Sequence, residues 1–417
     1  MIAGHRASRS HRPGCSSRAI GAGSLARAYT RAFRMRRTTL LLAVLLLLAG
    51  AARTEAAERH VPQGWLGVTA DKSFDLGDAS EWDRMVAAGA ESVRTAFYWA
   101  PLQPYRTAAE VPAEAASRFR DVDGVPTDFS STDALVITAA QRGLALLPVV
   151  QWTPPWAELK PGTFRSPPGD PRDVRRIFTA LVERYGPKGS LWAERPDVPR
   201  RPVRAWQVFN EPNLRGFWPI RPFAPSYIAT LRAAEKGIHG ADPGATVVLA
   251  GLTGSSWNAL ESLYAAGARG SFDAVAIHPY TARPADVLRI VRYARGVMRR
   301  HHDGRRPIWI TEFSWAAAAG KVADPPSWAA VTERVQARRL DRLMRRMVAA
   351  RKRLRIARVF WYTWLSIEAG PSAFDWSGLR RVRDGGRVDA RVLTVFRRWA
   401  RRLEGCEKAP GDARRCA

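Results

Sequence analysis

The sequence predicts an α/β chain, a single-domain (β/α)8 TIM barrel. Three observations support this. A short apolar run, a loop and a helix-like stretch recur eight times after residue 60. The runs are near-continuously apolar, as strands buried on both faces are. No Gly-rich dinucleotide fingerprint follows the first run, and Gly251-Leu252-Thr253-Gly254 is too short a pattern for a phosphate loop, so an open doubly wound sheet has no support.

The runs are Gly64–Ala70, Ser92–Trp99, Leu144–Trp152, Arg204–Asn210, Thr246–Gly251, Phe272–Tyr280, Pro307–Trp315 and Arg358–Trp364. Between them lies helix punctuation. Ser80-Glu81-Trp82-Asp83 resembles a capping box, with Gly89 to end that helix. Ser226 is placed to cap Tyr227–His239, which Asp242-Pro243-Gly244 stops. Val331–Arg353 puts Leu340, Leu343, Met344, Met347 and Val348 on one face and Arg334, Arg338, Arg342 and Arg345 on the other. Asp389–Leu403 supplies the eighth helix. The long Pro-rich loops Pro101–Ser130, Thr153–Arg172 and Pro212–Pro225 belong at the C-terminal face, where barrels build their sites.

The barrel is expected over 57–403, with 404–417 as a tail and no room for a second domain. Residues 35–56 read as a signal peptide: Met35-Arg36-Arg37, an apolar run from Leu40 to Ala52, then small residues. The run is shorter than the ~20 residues of a membrane span, so a secreted or cell-envelope protein without a stable span after processing is expected. Residues 1–34 form a patternless extension. Cys406 and Cys416 can pair in an oxidising compartment or stay free, and no Cys–His spacing suggests a metal.

Of 417 residues, 46% are hydrophobic and 25% charged, which excludes a disordered chain. The net charge is +28; residues 1–56 hold ten arginines and one acid, which leaves 56 basic and 37 acidic side chains beyond them, a net of +19. Such charge favours anionic partners. No nucleic-acid-binding motif accompanies it, so a poly- or oligosaccharide, including an acidic one, fits export better. Sixteen Trp are present; Trp99, Trp152, Trp156, Trp218 and Trp315 are candidates to line a sugar site or to fill the core.

Two carboxylates carry the chemistry. The fourth run ends Phe209-Asn210-Glu211-Pro212, and Pro212 cannot continue a ladder, so Glu211 sits at the strand's end. In the seventh, Ile308, Ile310 and Glu312 share a face by alternation, so an inward Ile308 would carry Glu312 to the mouth. One protonated and one ionised carboxyl group across one mouth are what glycosidic cleavage requires, with no metal or organic cofactor.

Asn210-Glu211-Pro212 followed about a hundred residues later by Thr311-Glu312-Phe313 resembles the clan of retaining glycoside hydrolases with catalytic Glu at strands four and seven. The strings Trp206-Gln207-Val208-Phe209-Asn210-Glu211-Pro212-Asn213-Leu214, Phe217-Trp218 and His278-Pro279-Tyr280 are most similar to family 39-like members, among them bacterial exopolysaccharide endoglycosidases, and next to family 5 cellulase-like proteins. The resemblance spans Gly64 to Trp364. It implies Glu211 as acid/base and Glu312 as nucleophile. Asn210 would donate to a sugar 2-hydroxyl, Tyr280 would hold Glu312 ionised with His278 in the same network, and Arg94 would pair with the nucleophile and keep its pKa low. Trp364 would floor the sugar being cleaved, with Trp152 as a further substrate contact. Family 39 xylosidases often carry an accessory β-domain for which this chain has no room. A non-catalytic carbohydrate-binding barrel and a transglycosylase on the same site stay open as alternatives.

Overall fold

The computed structural model describes residues 59–70, 77–329, 331–369 and 371–404. The segment 35–56 expected to be a signal peptide, the extension 1–34, and Cys406 and Cys416 lie outside them.

Eight strands follow the eight apolar runs: β1 (Leu66–Thr69), β2 (Ser92–Tyr98), β3 (Ala145–Gln151), β4 (Ala205–Val208), β5 (Thr246–Val248), β6 (Val275–His278), β7 (Ile308–Phe313) and β8 (Ile356–Tyr362). Their hydrogen-bonded order is β5, β4, β3, β2, β1, β8, β7, β6, every pairing parallel, so the first and last strands are neighbours. The ring closes through the fifth position. Val248 bridges Ala274, and the continuation Leu252–Thr253 pairs with Ile277 and His278 of β6. This is the expected (β/α)8 barrel.

The outer layer is α1 (Ala79–Ala87), α2 (Ser130–Gln141), α3 (Pro171–Tyr185), α4 (Phe223–Ala241), α5 (Ser256–Ala265), α6 (Pro284–Arg300), α7 (Glu333–Leu354) and α8 (Arg391–Leu403). Local chemistry sets their ends. Asp78, not Ser80, caps α1, its carboxylate accepting from the Ser80 N–H. Asp170 caps α3 ahead of Pro171, and Thr332 caps α7. α4 starts at Phe223, four residues earlier than expected. Ser226 is therefore no cap: its hydroxyl donates to the Phe223 carbonyl and accepts from Trp218 Nε1. α7 keeps Leu340, Leu343, Met344 and Met347 buried and its four named arginines in water. No helix among the described residues is long and apolar enough to cross a membrane.

The core has two layers. The large one lies between sheet and helices and takes Val68, Val93, Phe97, Trp206, Ile308, Ile310 and Trp361. A smaller one fills the barrel: Leu147, Val248, Ala274, Ala276, Trp309 and Phe360. This corrects the expected parity of β7. Ile308 and Ile310 face the helices, while Trp309 and Thr311 face inward. Alternation alone would then send Glu312 outward. A register shift between Ile310 and Phe313 against β8 breaks the alternation and turns Glu312 into the mouth.

After β8 the chain forms a small sheet, Leu365–Ile367 with Arg380–Arg383 and Gly386–Asp389, which the apolar pattern does not announce. It brings Arg380 onto Glu81 of α1, with Nε 2.9 Å from Oε2; both side chains are buried.

Candidate active site

The strand ends surround an open cleft of about 250 Å³. Thr69 comes from β1, Arg94, Ala96 and Tyr98 from β2, and Gln151 from β3, with Trp152 just after it. Asn210 and Glu211 follow β4, Glu312 lies on β7, and Tyr362 ends β8. Glu211 and Glu312, 101 positions apart in sequence, thus share one cleft.

The turn after β4 is held in an uncommon conformation. Phe209 and Glu211 both have positive φ, 62° and 44°, and the Glu211 N–H bonds the Gly251 carbonyl at 3.2 Å. Trp152 and Arg165, also at the cleft, have φ of 64° and 57°. Non-glycine residues in the left-handed region carry strain and gather at functional sites.

Arg94 is the hub. Its Nη1 lies 2.7 Å from Glu312 Oε1, its Nε 2.7 Å from Gln207 Oε1 and its Nη2 2.7 Å from Asn210 Oδ1. A buried cation is thereby compensated and nearly saturated. Accepting through Oδ1 leaves the Asn210 amide N–H groups unbonded to any described residue. The Tyr280 hydroxyl donates to Glu312 Oε2 at 2.9 Å, and burial, then the neighbouring Glu312, raises its pKa well above the ordinary range, so it stays a donor.

Glu211 sits differently. Among the described residues no cation bonds it, and burial pushes its pKa up to about 7 against the opposing pull of Arg94 and Arg165. Its Oε1 lies 2.7 Å from His278 Nδ1, and His278 Nε2 lies 3.0 Å from Thr311 Oγ1. Burial drives the His278 pKa down to about 3; Glu312 opposes and Arg94 adds to the fall, so the ring is neutral. With its proton on Nδ1, His278 donates to Glu211 Oε1 and reaches Glu312 Oε2 at 3.5 Å. Glu211 Oε2 bonds no described residue. Gly251 makes room for the ring: a Cβ there would lie 1.9 Å from His278 Nε2.

Single atoms of Glu211, His278 and Glu312 all lie within 4.8 Å of one another. This donor set is able to hold a cation. Such an ion would lie near the Arg94 guanidinium and compete with its bond to Glu312, which disfavours a metal here.

Seven of the eight residues expected at the site stand together: Arg94, Asn210, Glu211 and Glu312 in the cleft with Trp152, and His278 and Tyr280 bonded to the two carboxylates. Trp364 is the exception. It is fully buried and its Nε1 donates to Glu81 Oε2 at 2.8 Å, under the small sheet. β8 ends at Tyr362, so alternation no longer holds two residues on; Tyr362 lines the cleft instead. Of the other candidate tryptophans, Trp99, Trp218 and Trp315 are buried and bond Gln103, Ser226 and Thr281 through Nε1, and Trp156 bonds the Gln103 carbonyl.

Several residues of the site escaped the sequence reading. Tyr98, stacked on Trp152 at 4.2 Å, shares the parity of Arg94 and was open to that argument; so was Gln207, a polar residue inside an apolar strand. Arg165 and Phe217 come from loops and Phe374 from the 3-10 turn Ala373–Trp376, where no periodicity speaks.

The fold and cleft define a (β/α)8 barrel with paired carboxylates at its mouth, and solved structures share that fold. A glucosidase from Croceicoccus marinus superposes with a TM-score of 0.58 at 13% identity, over 84% of this chain and 70% of that one. A family 39 glycoside hydrolase from the gut symbiont Bacteroides cellulosilyticus WH2 gives 0.57 at 18%, over 82% and 64%. A GH5_18 variant from Bifidobacterium longum subsp. longum, in complex with Manb1-4GlcNAc, gives 0.55 at 15%, over 81% and 78%. At these identities the likeness is one of fold. No family model matches the sequence, and no curated protein does.

Proposed function

We propose that the protein is a retaining glycoside hydrolase that cleaves O-glycosidic bonds of a poly- or oligosaccharide by double displacement. One observation carries this: two buried carboxyl groups with oxygens within 4.8 Å of each other sit in opposite electrostatic surroundings. Retention needs closely spaced carboxyl groups, so that one can attack the anomeric carbon directly, whereas inversion needs a wider gap that seats a water between them.

Glu312, paired with Arg94 and bonded by Tyr280, is the nucleophile. Its oxygen attacks the anomeric carbon while the proton on Glu211 Oε2 passes to the glycosidic oxygen and the C–O bond to the leaving sugar breaks. Glu211, now ionised, takes a proton from water, whose oxygen attacks the anomeric carbon. The ester to Glu312 breaks, which regenerates its carboxylate and the Glu211 acid. His278 bonds Glu211 Oε1, so the acid's proton stays on the oxygen facing the cleft. The free N–H groups of Asn210 supply the donor for a sugar hydroxyl. The segment 35–56 supports a substrate met outside the cytoplasm.

The test is hydrolysis of a panel of neutral and acidic polysaccharides and aryl glycosides by the wild type and Glu312→Gln. Turnover by the wild type that falls by about 10⁴-fold or more in the variant is expected. Equal rates from the two proteins would refute the assignment.

A further inference from the structure

We infer that the glycan bears an anionic substituent, a carboxylate or a sulfate ester, on the leaving-group side of the scissile bond, and that Arg165 receives it. This rests on the glycosidase reading and goes on to name the substrate class.

Arg165 lies in the loop between β3 and α3, with its side chain turned back to the cleft beside Tyr98, Trp152, Glu211 and Phe217. Aromatic faces hold its guanidinium: 4.4 Å from the Phe217 ring centroid, 4.8 Å from Phe164 and 5.5 Å from Trp152. Its Nη1 donates to the Gly216 carbonyl at 3.0 Å, and its Nε is buried with no partner among the described residues. Among the described residues no carboxylate bonds it. Arg94, in the same cleft, engages Nε, Nη1 and Nη2.

The charges lining the cleft are therefore unbalanced. Arg94 and Glu312 cancel. Glu211 is neutral below about pH 7, as its acid role demands. Arg165 is left as one net positive charge, half-buried and partly stripped of water, an arrangement that costs free energy until an anion arrives. A guanidinium matches planar carboxylate and sulfate oxygens with two parallel N–H bonds. The aromatic cage stiffens the side chain, so little freedom remains to be lost on binding.

The chain also gives the side. Arg165 packs on Trp152 and Phe217, which follow β3 and β4, as Glu211 does. Tyr362 ends β8 and Phe374 follows it, on the Glu312 side. A general acid stands against the leaving oxygen, so Arg165 faces the leaving sugar.

The experiment compares wild type with Arg165→Gln on matched substrates: uronic-acid polysaccharides and their carboxyl-reduced forms, sulfated glycans and their desulfated forms. The expected result is a wild-type preference for one anionic form, lost in the variant. The ratio of kcat/KM for anionic over neutralised substrate should fall roughly ten- to a hundredfold, mostly through KM, with Arg165→Lys intermediate. Any influence of Arg165 on Glu211 acts on both members of a pair and cancels in the ratio. The carboxylate and sulfate arms show which group is read. Cleavage of neutral forms with an unchanged ratio would overturn this inference and leave the glycosidase reading standing. Affinity electrophoresis through the same polysaccharides reads binding without turnover. Retardation by anionic glycans that ignores Arg165→Gln would overturn the inference even for a protein that cleaves nothing.

Discussion

Removing the charge of Glu211 should stabilise the protein, increasingly as pH rises from 4.5 to about 7. The carboxyl group's ordinary pKa of 4.5 rises to about 7 on burial in the folded protein. That difference amounts to about 3 kcal/mol against the ionised form. The sign follows from proton binding. Between 4.5 and about 7 the folded chain holds a proton that the unfolded chain has released, so wild-type stability falls as pH rises through this window and levels off above it. Glu211→Gln has no charge to bury, and its amide oxygen still accepts from His278. The variant should match the wild type near about pH 4 and exceed it by about 3 kcal/mol near about pH 8.5, roughly 4 °C in Tm for a barrel of this size. Other groups titrate alike in both proteins and drop out of the difference. Calorimetric Tm values for both proteins across that pH range provide the check. A Tm difference independent of pH, or a variant less stable at high pH, would refute the electrostatic account of Glu211.

The same network makes other outcomes definite. Activity should fall as pH rises through about 7, because the acid is then lost, and pH–rate profiles on a slow-leaving substrate should show that limb. Arg94→Met strands the buried Glu312 and should cost about 3–5 kcal/mol in denaturant unfolding; adding Glu312→Gln should recover most of it, the non-additivity of a coupled pair. Trp364→Phe, which removes the N–H bonded to Glu81, should lower stability by about 1–3 kcal/mol while KM holds; a raised KM would restore Trp364 to the cleft. Gly251→Ala should displace His278 and depress kcat far more than KM, read from steady-state kinetics.

The barrel was legible because parallel strands covered on both faces read as unbroken apolar runs, and β2 and β7 did so almost to the residue. The carboxylates were legible because an acid at the end of such a run has few structural reasons to be there. Alternation failed where the backbone stops being a strand. It misassigned Ile308 and Ile310, since a register shift, not parity, brings Glu312 inward. It carried Trp364 to the mouth, although β8 ends two residues earlier and the indole turns under the small sheet to meet Glu81. Arg165 was invisible for another reason. In a Pro- and Gly-rich loop nothing fixes which way a side chain points, and its place over Trp152 and Phe217 depends on contacts between loops far apart in sequence.

The account rests on Glu312 forming a bond to sugar. Incubation with a panel of 2,4-dinitrophenyl 2-deoxy-2-fluoro-glycosides, which slow release of the glycosyl-enzyme, followed by peptide mass spectrometry, tests this directly. One member should add a single fluorosugar, mapped to the peptide bearing Glu312 and absent in Glu312→Gln. An active enzyme that shows no adduct, or one that carries it on Glu211, would contradict the mechanism.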